Sequence, residues 1–280
     1  MARWCRGGPG VGRDMSIGVF DSGVGGLTVL RALRRRLPAR DFVYLGDTAR
    51  LPYGTKSAAS VVRYADQAAA ALVGHGLECL VIACNTASAV ALPVLRQRHA
   101  PLPVVGVVGP GAEAAAAASR SGRIAVIATE GTVRSGAYEA AIRRLRPDAT
   151  VSSVACPLFV ALAEEGWIEG EVVELAIRRY LGPLLDQALP PDVLLLGCTH
   201  FPVLAASIRR VVGTALAIVD SADTTAAAVA RVLDGAGEVA GATGGLRLLA
   251  TDDGPRFARV GSSFLGEPIT PAAVEIVDLG

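Results

Sequence analysis

Lysine is almost missing from this 280-residue chain: Lys56 is the only one among 27 basic side chains, the rest being arginine. Charge of either sign is also scarce, since charged residues make up 19% and 27 basic against 26 acidic groups leave a net charge of +1. The longest run of like charge is Arg34-Arg35-Arg36, too little footing for nucleic acid or an anionic membrane as the main partner. Aromatic residues are few at 5%, yet 51% of the chain is hydrophobic, which suits a packed core and argues against disorder. A membrane span needs about 20 mainly apolar residues. The most apolar stretches, 80–95 and 193–204, are interrupted by Asn, Thr, Ser, Pro or His. Metal-binding spacing is lacking as well. The five cysteines, at 5, 79, 84, 156 and 198, are odd in number and include no Cys-x-x-Cys pair, so neither a disulfide scaffold nor a structural metal site is expected. Reduced thiols in a cytoplasm fit this usage best.

Residues 1–14 carry Arg3, Arg6 and Arg13 but no apolar stretch of the length a secretory signal needs, and they read as a disordered extension ahead of Met15. Beyond them, short β-branched or Leu-rich runs alternate with longer amphipathic or Ala-rich ones, the pattern of βα units around mostly parallel sheets. The spacing predicts strands at 16–20, 41–45, 79–83, 103–108, 123–128, 150–154, 193–197, 216–219 and 246–250. Helices are expected at 25–36, 57–74, 87–98, 131–145, 168–187, 203–212 and 222–234. Nine strands suggest two pseudo-symmetric three-layer α/β lobes with a cleft between them. The crossings are placed near Pro101 and near 214–220, so that 15–100 with 216–280 forms a discontinuous first lobe and 101–215 the second.

An internal echo supports two related lobes. The strand 79–83 runs into Ala83-Cys84-Asn85-Thr86, and the strand 193–197 into Gly197-Cys198-Thr199-His200. Each puts a cysteine just after a buried strand and just before a helix, at the strand ends where α/β proteins bind ligands. The amides and dipole of a helix N-terminus favour a thiolate, which makes such a sulfur a nucleophile or a base. Taken singly, each cysteine is equally a small buried hydrophobe; repetition favours function for Cys84 and Cys198. Cys79 lies within a strand run and Cys156 precedes Pro157, positions that read as structural. The loop Asp21-Ser22-Gly23-Val24-Gly25-Gly26 after the first strand offers amides and a hydroxyl to an anion. It is neither a Walker A loop nor a GxGxxG fingerprint. Pro52-Tyr53-Gly54, and Thr129 with Thr132, follow further strands, where a plain turn and a helix cap compete with a binding role. His200 is one of three histidines and stands at a strand end, fit to orient or protonate a substrate group near neutral pH.

Together these segments resemble the glutamate racemases of the cofactor-independent aspartate/glutamate racemase superfamily. The resemblance rests on FDSGVGGLTVL (20–30), YLGDTARLPYG (44–54), VIACNTASA (81–89), ATEGTVRSGAY (128–138), ACPLFVALAEEG (155–166), LLLGCTHFPVL (194–204) and VDSADTTA (219–226). It spans about Ser16 to Gly266, and CNTASA followed by GCTHFP is its most specific part. Ala161 and Ala163 stand where bulkier or proline residues are common, away from the chemistry. The resemblance implies that L- and D-glutamate are interconverted by two thiols on opposite faces of the α-carbon. Cys84 would act on D-glutamate with Asp21 assisting, and Cys198 on L-glutamate with His200 assisting. Asp47 and Glu164 match secondary acidic positions. Ser22, Tyr53, Gly54, Asn85, Thr86, Thr129, Thr132 and Thr199 match substrate-contacting ones, with Asp21 and His200 counted among them. It further implies no cofactor, a cytoplasmic enzyme, a role in supplying D-glutamate to peptidoglycan, and room for a homodimer.

The residues support this independently. Removing a proton beside an ionised carboxylate requires preorganised donors in a site that excludes water. Hydroxyls, amides and helix N-termini supply such donors. Pyridoxal phosphate, the usual electron sink, needs a Schiff-base lysine, and only Lys56, in a Thr-Lys-Ser turn, is present. The competing expectations are an aspartate racemase or related two-cysteine isomerase, and a binding protein that holds an amino acid without turning it over. The presence of both cysteines argues against the latter.

Overall fold

The computed structural model describes residues 15–233 and 243–279. They form ten strands and eleven α-helices. The first half comprises β1 (Ser16–Asp21), α1 (Leu27–Arg36), β2 (Phe42–Gly46), α2 (Ala58–Val73), β3 (Leu77–Ile82), α3 (Asn85–Arg98), β4 (Val104–Gly106), α4 (Val108–Ala118) and β5 (Arg123–Ala128). There follow α5 (Glu130–Ser135), α6 (Ala137–Leu145), β6 (Thr150–Ala155), α7 (Pro157–Glu164), α8 (Glu171–Leu185), β7 (Val193–Gly197), α9 (Ala205–Val212) and β8 (Ala217–Asp220). The chain closes with α10 (Ser221–Val232), β9 (Leu246–Ala250), α11 (Gly254–Leu265) and β10 (Val274–Ile276). The extension expected at 1–14, and the end of the helix expected to reach 234, fall outside the described residues.

The strands pair in parallel in two sheets, a larger one in the order β10-β9-β2-β1-β3-β4 and a smaller one in the order β6-β5-β7-β8. Alternation along the strands sorts their side chains between two helical layers. In the larger sheet, Ile17, Val19, Tyr44 and Val81 face α1, α10 and α11, while Phe20, Leu45, Leu80 and Ile82 face α2 and α3. In the smaller, Ile127, Leu194 and Leu196 face α7, α8 and α9, and Val126, Val193 and Leu195 face α4 and α6. These strands are buried on both faces, which explains their near-continuous apolar runs.

The same strand order occurs twice: β2-β1-β3-β4 in one sheet corresponds to β6-β5-β7-β8 in the other. Cys84 follows β3 and Cys198 follows β7, so the two thiols occupy equivalent positions.

Several boundaries differ from expectation. β4 pairs with β3, and residues 101–106 therefore go with the larger sheet; β8 pairs with β7 and goes with the smaller. The chain crosses between sheets after Gly106 and after Asp220, not at 101 and 216. The helix expected over 131–145 is two helices, because Gly136 takes a left-handed conformation (φ 64°) that ends α5. A tenth strand, β10, was not anticipated: three residues at a sheet edge leave no readable alternation. α4, α7 and α11 were also missed.

Candidate active site

The strand ends of both sheets converge on one cluster. Asp21 ends β1, Asp47 follows β2, Cys84 follows β3, Thr129 follows β5, and Cys198, Thr199 and His200 follow β7. Asp21, Asp47, Cys84, Asn85, Thr86, Thr132, Cys198, Thr199 and His200 are all buried.

Cys84 caps α3: its sulfur accepts the Ala87 amide at 3.5 Å and its thiol points to the Ser22 hydroxyl, also at 3.5 Å. A helix N-terminus was expected to ease its ionisation. Instead, burial and then the Asp21 carboxylate push the Cys84 thiol up to about 12, the Ser22 and Ala87 contacts and the Cys198 sulfur being smaller influences. The cap is outweighed because the residue is buried. Cys84 therefore rests as a neutral thiol, the form that delivers a proton.

The loop after β1 also differs from expectation. Three of its amides already serve the Asp21 carboxylate: Gly23 donates to Oδ2 at 3.0 Å, and the amides of Ser22 and Gly26 also support it. Burial still raises Asp21 above the usual carboxylate range, against the pull of His200 and these amides. Asp21 also accepts a long contact from the Thr199 hydroxyl, at 3.5 Å. It thus lies between the two cysteine halves.

On the other half, Nδ1 of His200 is 3.8 Å from the Cys198 sulfur and 3.5 Å from the Thr199 hydroxyl. Nε2 meets Oε1 of Glu164 at 3.1 Å, and Oε2 of Glu164 accepts Arg256 at 2.9 Å. Burial disfavours a charged imidazole, but Cys198, Glu164 and Asp21 together outweigh it and lift His200 to about 10. For Glu164, burial is the largest influence and acts upward; His200 and Arg256 overcome it and hold the carboxyl below its ordinary range.

A histidine whose value is raised on folding stabilises the fold fully below its unfolded value of about 6.5. That contribution falls as pH rises toward about 10. Equilibrium unfolding followed from pH 6.5 to about 7.5, about a unit below the value of a free thiol, should show stability declining in the native protein. The decline should be shallower in His200→Asn; parallel profiles would count against a charged, paired His200.

Asp47 is placed differently from the other acids. It accepts from the Tyr53 hydroxyl, from Arg50 Nε at 2.8 Å and from Thr251 at 3.0 Å. None of these contacts is to Cys84 or Cys198. The hydroxyls of Thr86, Thr129 and Thr132 form a triangle with sides of 2.9, 3.1 and 3.0 Å, linking α3 to α5 across the sheets. Gly54 lies against Thr129. Asn85 donates to the Tyr138 hydroxyl at 2.7 Å, while its buried Oδ1 has no hydrogen-bond partner among the described residues and is open to a ligand N–H.

Cys79 lies inside β3, where burial pushes it up to about 12, and Cys156 is fully buried with its thiol likewise raised. Cys156 and Cys198 stand at the ends of β6 and β7 with β5 between them. Two strand spacings, about 9.6 Å, exceed disulfide reach. Cys5 is outside the described residues. Among the described residues, no three His, Cys, Asp or Glu side chains are grouped to hold a metal ion, and no helix is long and apolar enough to cross a membrane.

Residues 17–230 match the family model for Asp/Glu/hydantoin racemases. The chain belongs to the Asp/Glu/hydantoin racemase family. Among curated relatives, this racemase-family chain is 51% identical over 254 residues to the glutamate racemase of Geobacter metallireducens, an alignment covering 90% of this chain and 93% of that one. Among solved structures, it is similar to glutamate racemase from Francisella tularensis in complex with D-glutamate (34% identity, TM-score 0.87, covering 95% and 98% of the two chains). It is also similar to isoform RacE1 from Bacillus anthracis (36% identity, TM-score 0.88, covering 96% and 99%). Three contributors to the site were not foreseen: Thr251, Arg256 and Phe264. The Asp253-Gly254-Pro255 signature marks the start of α11, but nothing in sequence marks what its side chains reach.

Proposed function

We propose that the chain interconverts L- and D-glutamate by a two-base mechanism without a cofactor, and that in the cytoplasm its product serves peptidoglycan synthesis. The observation that carries this is the pair of buried thiols at equivalent strand ends, each backed by its own polar group. The glutamate racemase names of relatives at 51% identity support the choice of substrate.

In the L to D direction, Cys198 removes the α-proton and Cys84 supplies one to the opposite face; the reverse direction exchanges their roles. His200 keeps a positive charge beside Cys198 while Asp21 flanks Cys84. The burden falls on negative charge developing at the α-carbon and its carboxylate. Thr86, Thr129, Thr132, Thr199 and Asn85 present preorganised dipoles for this, and burial strengthens each of them. Ser22, Tyr53 and Gly54 complete the walls in this proposal.

Racemisation followed by circular dichroism with no added cofactor tests it, using L-glutamate and L-aspartate in parallel. In deuterium oxide, the D-glutamate formed should carry solvent deuterium at the α-position. A clear preference for aspartate would move the assignment to an aspartate racemase, and product that retains the substrate's own α-hydrogen would remove the two-base scheme.

A further inference from the structure

Glu164 has two oxygens, and the chain uses them on opposite sides. Oε1 meets Nε2 of His200 at 3.1 Å and Oε2 meets Arg256 at 2.9 Å. Glu164 ends α7, whose Phe159 and Leu162 pack beneath the smaller sheet. Arg256 belongs to α11, whose Phe257, Val260 and Phe264 pack beneath the larger one. The ion pair therefore spans the two sheets.

α11 touches the imidazole itself two turns further on, where the Phe264 ring stands edge-on to His200 with centroids 5.2 Å apart. The first turn of α11 is itself held in place. Asp253 caps it by accepting the Arg256 amide at 3.0 Å, and the preceding Thr251 bonds Asp47 and the Ala49 amide. His200 is thus faced by Cys198 from β7, Asp21 from β1 and Glu164 from α7, with the uncharged Phe264 ring from α11. Glu164 is faced by His200 and Arg256.

We propose that Arg256 is a positioning residue for the Cys198 half of the site: reaching over from α11, it fixes the Glu164 carboxylate and through it holds His200 against Cys198. Arg256 touches neither sulfur, and its side chain is 40% exposed, so the pair adds little to stability. Its effect falls on geometry. An unsecured Glu164 has a second orientation open to it, and a His200 that follows it leaves the sulfur 3.8 Å away without its partner.

The inference rests on the two-base reading for its kinetic test and is independent of it for its spectroscopic one. In Arg256→Met, kcat/KM should fall roughly tenfold to a hundredfold, the range that small misplacements cost, with most of the loss in kcat. Only the transition state for transfer at Cys198 is raised. The deuterium effect on kcat/KM should therefore grow with [2-²H]-L-glutamate and shrink with [2-²H]-D-glutamate. Arg256→Lys, which keeps the charge without the planar fork, should recover part of both changes. In ligand-free protein, the His200 Nε2 proton, identified by its loss in His200→Asn, should exchange with water at least about tenfold faster in Arg256→Met, once Glu164 no longer shields it. A folded variant with unchanged exchange, or with unchanged isotope effects, overturns the proposal. If the methionine variant does not fold, the same two measurements on Arg256→Lys decide. A native protein that racemises neither glutamate nor aspartate sinks the two-base reading instead, and proton exchange then decides the role of Arg256.

Discussion

Cys84→Ser and Cys198→Ser are each expected to lower racemisation by about 10²–10⁴-fold, the range for loss of a positioned acid or base, without a matching loss of fold. Serine keeps the shape and the hydrogen-bonding capacity. At position 84 it can still cap α3 and meet Ser22, so the local structure has little reason to move. What is lost is a group whose proton leaves and returns readily beside a substrate carbanion. The two variants should not be equivalent. With Cys198 replaced, Cys84 still faces the α-proton of D-glutamate, and D-glutamate should slowly take up solvent deuterium with retained configuration. With Cys84 replaced, the same holds for L-glutamate and Cys198. Proton NMR of each enantiomer in deuterium oxide reads both outcomes. Undiminished racemisation in either variant would sink the two-base account, and exchange of the opposite enantiomer would reverse the assignment of faces.

Gly25→Ala should be nearly as damaging, with roughly 10²-fold lower kcat, the cost of displacing catalytic groups by about an ångström. A Cβ at this position would stand 2.5 Å from His200 Nδ1 and 2.5 Å from the Thr199 hydroxyl oxygen. Neither can withdraw freely. His200 is held by Glu164 and walled by Phe264, and the Thr199 carbonyl is tied to the Thr28 hydroxyl at 3.1 Å. The added methyl therefore displaces the imidazole from Cys198 or drives the loop after β1 away from the smaller sheet. Under the proposed function most of the substrate-contacting groups lie elsewhere, so KM should move much less than kcat. Isotope effects like those expected for Arg256→Met would place the damage at Cys198; a native kcat would show that the two lobes yield to the methyl at no cost.

The core strands and both cysteines were legible because each is encoded locally. β1, β3 and β7 are almost wholly buried and read as near-continuous apolar runs, and Asp21, Cys84 and Cys198 sit at the breaks that end them. Pairing partners are not local. β4 and β8 are short, and which sheet each joins depends on contacts beyond its own residues, hence the misplaced crossings. β10 lies at an edge with two of its three residues exposed. Ionisation was the other failure. Position at a helix N-terminus argued for an easily ionised Cys84, but burial and Asp21 are tertiary facts and prevail. Arg256 illustrates the limit most plainly: it is one of many arginines in sequence, and only the fold brings it to a residue 92 positions away.

The duplicated strand order has a consequence in symmetry. A protein built of L-residues offers its substrate a handed environment, yet a racemase must treat two mirror-image molecules almost alike. No rotation can turn a chiral site into its mirror image. A planar carbanion, however, is turned over by a half-turn about an axis lying in its plane, and a half-turn is an operation that duplicated units within one chain can approximate. Under the two-thiol proposal, the repeat of β2-β1-β3-β4 as β6-β5-β7-β8 gives each face of that carbanion a sulfur from the same place in its own unit. The two hands of glutamate then meet like sulfurs in unlike company, Asp21 on one side and His200 on the other, and whatever imbalance exists between the two directions resides in those neighbours.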